Sequence, residues 1–244
     1  MTDHSLQSLA VRMSAAAREL KGRVDPQETM ERAAALAVRN VDGCQAASIS
    51  LARGRSLETH AGTSEAVRTA DQLQAETGEG PCLDAIHEQA TIYVSDLSTD
   101  PRWPSWGSQV AERTGLRSVL SCQLFTDEDA VGALNMYSDR TQAFDGDDHA
   151  EALALAAHIA VAMSAAQETQ GLMASKDTRS LIGQAMGIAM ERYELDAEQA
   201  WALLTRLSQS MNVRVRDLAA DFVATRTLPR PELEDPDERS SPTV

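Results

Sequence analysis

From Asp147 to Asp177 the chain runs for about thirty residues with no proline and one glycine, Gly171. Helices in globular proteins average about 11–12 residues. A single small core cannot support one this long, so 147–176 is expected to be a connecting helix that bridges two domains or pairs as a coiled coil. Leu153, Ala156, Ala160, Met163 and Gln167 recur on one face at helical spacing. That face is alanine-rich and admits another helix at close range, which predicts a homodimer seam. The plainer alternative is a helix that covers a sheet.

The two sides of this helix read differently. Before it, Ala47, Ile49 and Leu51 alternate with Ser48 and Ser50, the period of a half-buried strand. Residues 56–63 read as its hairpin partner across Arg53-Gly54-Arg55. Strands are also expected over 91–95, 117–125 and 130–138, the last two joined by residues 126–129 in a hairpin. Helices are expected over 5–20, 26–42, 64–75 and 105–114. Asp25 before Pro26 marks a helix start, a capping carboxylate followed by proline at the first helical position. Gly78-Glu79-Gly80-Pro81-Cys82 reads as a loop, followed by a short helical turn. Strands interspersed with helices predict an α+β domain.

After the long helix come three short amphipathic ones. Ile182, Ala185 and Ala189 form the first stripe. Asp196 and Gln199 have the spacing of a capping box, with Leu195 and Ala200 placed as a hydrophobic staple. Ala200, Leu203, Leu204 and Leu207 form the second stripe, Asn212 ends it, and Val215, Leu218, Ala219 and Phe222 form the third.

Charge divides the chain in the same way. The total is −15, from 22 basic and 37 acidic residues. Residues 1–170 hold 13 basic and 25 acidic side chains (−12), residues 171–230 hold 8 and 7 (+1), and residues 231–244 hold 1 and 5 (−4). An acidic body repels phosphate, so a nucleic-acid contact must belong to the balanced segment. The acidic, proline-containing tail 229–244 is expected to be disordered. No unbroken apolar run approaches the ~18 residues of a membrane span. The N-terminus has no basic start followed by an apolar run, and three widely spaced cysteines suit a reducing compartment. A cytoplasmic protein without a membrane partner is expected.

Residues 179–223 resemble the ANTAR domain, the helical RNA-binding module of bacterial antiterminators. The resemblance is carried by Arg179, Ile182, Gln184, Ala185, Gly187, Met190, Ala200, Leu203, Ser208, Asn212, Leu218, Ala219 and Val223. Where that family often has lysine this chain has Met186, which implies one phosphate contact fewer. Residues 26–165 resemble a GAF domain, a small-molecule sensor fold around a central antiparallel sheet. Here the signals are Gly78-Glu79-Gly80-Pro81-Cys82, the stretch 94–104, and 131–138 with Phe144 and Asp145 leading into the long helix. Together they resemble the GAF-ANTAR regulators common in actinobacteria, and 20 Arg against 2 Lys suits a GC-rich genome. The resemblance implies an N-terminal helix (1–25), a GAF sensor (26–165), the connecting helix (147–176), a three-helix ANTAR bundle (172–228) and the tail. It implies no enzyme. It implies a regulator that binds paired hairpins in nascent mRNA leaders as a homodimer, under a small-molecule effector.

RNA binding needs cations at phosphates and polar groups at unpaired bases. Lys176, Arg179, Arg192, Arg206, Arg214 and Arg216 are the candidate cations, and Gln184 and Asn212 the candidate base readers. From charge alone these arginines read as solubilising helix faces, paired with Glu191, Glu194 or Asp217; the family resemblance reverses that reading. Trp201 has two readings, a surface for base stacking or, favoured because its neighbour Ala200 heads the apolar stripe, edge packing. In the sensor segment Asn135 is followed by Met136 rather than lysine, which argues against a cyclic nucleotide. The five histidines lack metal-ligand spacing and no metal or cofactor is expected. Cys82, at a glycine-rich turn before a helix, is the one redox candidate, since a helix N-terminus lowers a thiol pKa. A GAF enzyme resembling the free methionine sulfoxide reductases, with a helical dimerisation tail, is the alternative reading. Such enzymes need further cysteines ahead of a core strand; here Cys122 lies within one and Cys44 heads another.

Overall fold

The computed structural model describes residues 3–22, 25–53, 56–88, 91–125 and 131–229. They form two compact units, Met1–Gln170 and Gly171–Val244. In chain order the elements are α1 (Asp3–Leu20), α2 (Pro26–Asn40), β1 (Ala46–Arg53), β2 (Ser56–Gly62), α3 (Glu65–Thr77), α4 (Pro81–Glu88), β3 (Thr91–Val94), α5 (Gly107–Thr114), β4 (Ser118–Phe125), β5 (Val131–Ser138), α6 (Gly146–Tyr193), α7 (Ala197–Met211) and α8 (Val215–Thr225). The expected turns at 54–55 and 126–129 and the tail from 230 onward lie outside the described residues.

The strands pair antiparallel in the order β2-β1-β5-β4-β3. Their period of two gives the sheet two unlike faces. Ala47, Ile49 and Leu51 of β1, Leu134 and Met136 of β5, and Leu120, Cys122 and Leu124 of β4 share one core with α1, α2 and the first part of α6. The opposite face, under α3, α4 and α5, carries Ser48, Ser50, Ser121, Gln123, Asn135 and Tyr137, all buried. A half-buried antiparallel sheet ordinarily shows its polar face to water. Here that face is covered, and it holds the unit's unusual chemistry.

Helix α1 belongs to this unit. Met13, Ala16 and Leu20 enter the apolar core, and Arg12 pairs with Glu151 of α6. Asp25 caps α2 as its spacing predicts, accepting the Gln27 N–H at 2.9 Å. Asp145 accepts the N–H groups of Asp147 and Asp148 at 2.9 and 3.0 Å and starts α6.

Helix α6 departs from expectation twice. It is continuous over 48 residues, so the connecting helix and the first helix of the C-terminal bundle are one element. Its alanine-rich face is also not a free seam. Ala152, Leu155, Ala156, Ile159 and Met163 are buried in the sheet's apolar core and Ala160 is buried with them. Leu153, about 100° round the helix from Ala152, is 52% exposed. The sheet needed an apolar cover, and the plainer reading of this face holds. An 18-residue window of α6, at mean hydropathy 1.3, is long and apolar enough to cross a bilayer, and 39% of it is buried within the protein.

In the C-terminal unit Ala185 and Ala189 of α6, Ala200 and Leu204 of α7, and Leu218, Ala219 and Phe222 of α8 make a small core. The capping box is present: Asp196 accepts the Gln199 N–H at 2.8 Å, and the Gln199 amide oxygen accepts the Asp196 N–H at 3.0 Å. Asn212 ends α7 in the left-handed conformation, φ 52°.

Candidate functional site

The covered polar face centres on Asp71 of α3, which is fully buried. The hydroxyls of Ser50 and Thr59 donate to one of its carboxylate oxygens at 3.1 Å each, and the Tyr137 phenol donates to the other at 3.1 Å. Among the described residues no cation pairs with it. Burial pushes the Asp71 carboxyl above its usual 3.8, and the hydroxyl donors offset only part of that. The Tyr137 phenol is raised in turn by burial and by the neighbouring carboxylate.

Three buried amides share this covered layer. Gln74 accepts the Cys82 N–H at 2.9 Å, Asn135 donates to Ser48 at 3.3 Å, and Gln123 donates to the Ile86 carbonyl at 3.2 Å. The other ends of these side chains, Gln74 Nε2, Asn135 Oδ1 and Gln123 Oε1, are buried without a partner among the described residues, as is Ser121 Oγ. An unsatisfied buried polar atom costs about 1–3 kcal/mol. Three on the covered sheet face and one on α3, in the layer that holds a carboxylate with no ion pair among the described residues, make this the N-terminal unit's candidate ligand site.

The glycine-rich loop serves the cluster. Gly78 ends α3 at φ 69°, and Gly80 takes φ 147° with Gln74 so close that a Cβ would lie 2.1 Å from its amide oxygen. The loop thus closes over Gln74 and brings Cys82 into α4. Its thiol is fully buried beside Asp71. Sequence position suggests a thiol activated by a helix N-terminus; burial and the Asp71 charge instead push it far up. A thiolate, the reactive form, is disfavoured there at neutral pH. Cys44 and Cys122 are buried as well, pushed up to about 12 and about 11. Among the described residues no group of three His, Cys, Asp or Glu could hold a metal ion.

On the C-terminal unit the cations lie outside. Lys176 and Arg179 are exposed on α6 and share a face with Gly183 and Gly187, where a Cβ would meet nothing within 4 Å. Gln184 is exposed beside them. Arg206 of α7 lines a groove with Tyr193 and Gln199. Arg214 caps α8 and pairs with Asp217 at 2.8 Å, while Arg216, in the first turn, is exposed. Arg192 donates to the Arg226 carbonyl. Lys176, Arg179, Arg206 and Arg216 make no ion pair among the described residues. The expected pairing with acids therefore holds for Arg214, and the residues divide among the α6 face, the α7 groove and the α8 start. Asn212 has a structural duty, since its N–H bonds the Ser208 and Gln209 carbonyls in the αL cap. Trp201 stays out of the bundle core and is 45% exposed, with Tyr193 at 43%. Its stripe neighbour Ala200 faces inward, and one step along the helix turns Trp201 outward.

The GAF domain family matches residues 23–164, and the ANTAR domain family matches residues 170–223. The chain belongs to the GAF family and carries an ANTAR domain behind its sensor. No curated relative matches it. The GAF domain of a phosphoenolpyruvate-protein phosphotransferase from Coxiella burnetii is similar in fold, with TM-score 0.54 and 13% identity over 67% of this chain and 96% of that one. So is a free methionine-R-sulfoxide reductase from Neisseria meningitidis, solved with its substrate, with TM-score 0.53 and 18% identity over 69% and 95%. At these identities the likeness shows the GAF fold alone. The GAF and ANTAR domains together support a sensor-linked RNA-binding regulator.

Proposed function

We propose that this GAF-ANTAR protein is a cytoplasmic antitermination regulator that binds paired hairpins in nascent mRNA leaders and blocks formation of a terminator hairpin. The protein makes or breaks no covalent bond in this role; it biases an RNA folding equilibrium. The observation that carries the reading is the α6 face of Lys176 and Arg179, exposed, free of ion pairs among the described residues, and smoothed by Gly183 and Gly187. Arg216, Arg206 and Gln184 add donors, and Trp201 adds a flat surface on which an unpaired base can stack. A homodimer presents two bundles to two loops, and linkage raises the effective concentration of the second contact.

The effector is a small polar molecule at the Asp71 cluster. The partnerless acceptors Asn135 Oδ1 and Gln123 Oε1, with the Asp71 carboxylate, favour a ligand rich in hydrogen-bond donors. The thiol-enzyme alternative loses its main support with the burial of Cys82.

Replacing Lys176, Arg179 and Arg216 together with alanine is expected to abolish binding to a two-hairpin leader RNA while leaving thermal stability nearly unchanged, because the fold does not depend on any of the three side chains. Removing a single phosphate-binding cation should also flatten the salt dependence by about 0.7 in the log–log slope on single-stranded loops. Retained binding at full slope would move the interface elsewhere.

A further inference from the structure

Two grooves open on the C-terminal unit, and Leu228 and Pro229 line both. One, of ≈610 Å³, is largely apolar along Tyr193, Leu203 and Leu207, and Arg206 is its one charged lining residue. The other, of ≈500 Å³, is lined by Asp217 and Asp221 and by no cation. The chain leaves the described residues at the point where the two meet. After Arg230 and Pro231 the chain turns acidic: Glu232, Glu234, Asp235, Asp237 and Glu238, with Leu233 among them. Charge therefore separates two grooves that are equally near. The Asp217–Asp221 groove repels this segment, and the Arg206 groove offers it both a cation and an apolar floor.

We propose that the Arg206 groove takes the chain's own acidic segment 232–238, with Leu233 on the apolar floor and the flanking carboxylates at Arg206, and that the segment competes there with RNA phosphate. Reach is sufficient. Leu233 is four residues beyond Pro229, a span of up to about 14 Å when extended. The tether supplies a high local concentration, so a contact too weak to hold a free peptide suffices here. The segment then acts as a brake: RNA that offers only scattered phosphates does not displace it, and a hairpin that also engages the α6 face does. The competition rests on the RNA-binding reading above; the docking does not.

Disulfide trapping tests the docking without RNA. Cys44, Cys82 and Cys122 are buried, so an added pair on the surface reacts alone. In the full chain, Ala202→Cys with Glu234→Cys places one thiol in the Arg206 groove, and Thr225→Cys with Glu234→Cys places it in the acidic one. In a glutathione redox buffer the first pair is expected to close intramolecularly about tenfold faster than the second, the signature of a raised local concentration. Adding Arg206→Glu should bring the first pair down to the rate of the second. Equal rates, a faster second pair, or indifference to Arg206→Glu overturns the docking. A chain with Glu232, Glu234 and Glu238 changed to Gln and Asp235 and Asp237 to Asn should bind the leader RNA severalfold more tightly than the parent. Unchanged affinity overturns the brake. No RNA binding by either protein overturns the RNA reading, and the brake with it, while the disulfide rates still decide the docking.

Discussion

The two units keep their polar chemistry in opposite places. The GAF unit buries it: Asn135 and Gln123 on the covered sheet face, and Asp71, Gln74 and Cys82 on the helices α3 and α4 that cover it. Among its described residues the ANTAR unit buries only alanine, leucine, phenylalanine and one serine, Ser208, and leaves Lys176, Arg179, Arg206 and Arg216 exposed. The difference matches two kinds of recognition. A small ligand is held by groups already desolvated, so each hydrogen bond counts and a missing one is costly. A nucleic acid is held by many charges at a wet surface, each worth little alone and all weakened by salt. On the proposed function, a chain that does both keeps the two chemistries in separate units and joins them with one helix.

That contrast can be attacked first where the ANTAR core is thinnest. Phe222 is its largest fully buried side chain. Phe222→Ala is expected to cost about 3–5 kcal/mol and to unfold the bundle, abolishing RNA binding. Emission from Trp103 and Trp106, both buried in the GAF unit, should not move in a Trp201→Phe background. A change in their emission would mean that the units do not stand independently.

The buried carboxylate gives the next largest effect. Tyr137→Phe removes one donor from Asp71 and should destabilise the GAF unit by about 1–3 kcal/mol. The pH dependence has a definite sign. The folded carboxyl titrates above its unfolded value of 3.8, so folding favours the protonated acid. Its stabilising contribution is complete below 3.8 and is lost as pH rises through the folded value. Asp71→Asn, which mimics the neutral acid, should therefore gain on the parent as pH rises above 3.8, in denaturant midpoints read from Trp103 and Trp106. Parallel pH profiles would show that Asp71 does not carry this linkage. The smallest effect belongs to a local device: Asp196→Ala removes the capping box of α7 and should cost about 1 kcal/mol, seen as a lower melting temperature of the bundle alone.

The parts legible in the sequence are those governed by near neighbours. Ser48 and Ser50 alternating with Ile49 announce β1, Asp25 before Pro26 announces α2, and Asp196 with Gln199 announces α7. The exposed cations of the C-terminal helices could be named from their place on helix faces, but reading them as an RNA interface came from the family resemblance and not from charge. The effector cluster could not. Ser50, Thr59, Asp71, Asn135 and Tyr137 come from four elements, and Tyr137 meets Asp71 across 66 residues of chain. Serines on alternate strand positions read as the wet side of a sheet until a helix is known to cover them. A carboxylate facing that side, in a helix otherwise patterned like α3, was the available signal.

The sequence by itself thus determined the order of elements, their caps, the two domains and the charge each carries, because these depend on periodicity and spacing along the chain. Tertiary structure decided which stripe of α6 is spent on the sheet, that Trp201 faces water, and that Cys82 is held as a thiol. Each of these depends on what lies opposite in space, and burial can reverse the sign of an expectation drawn from position alone, as it does where desolvation beside Asp71 outweighs the start of α4.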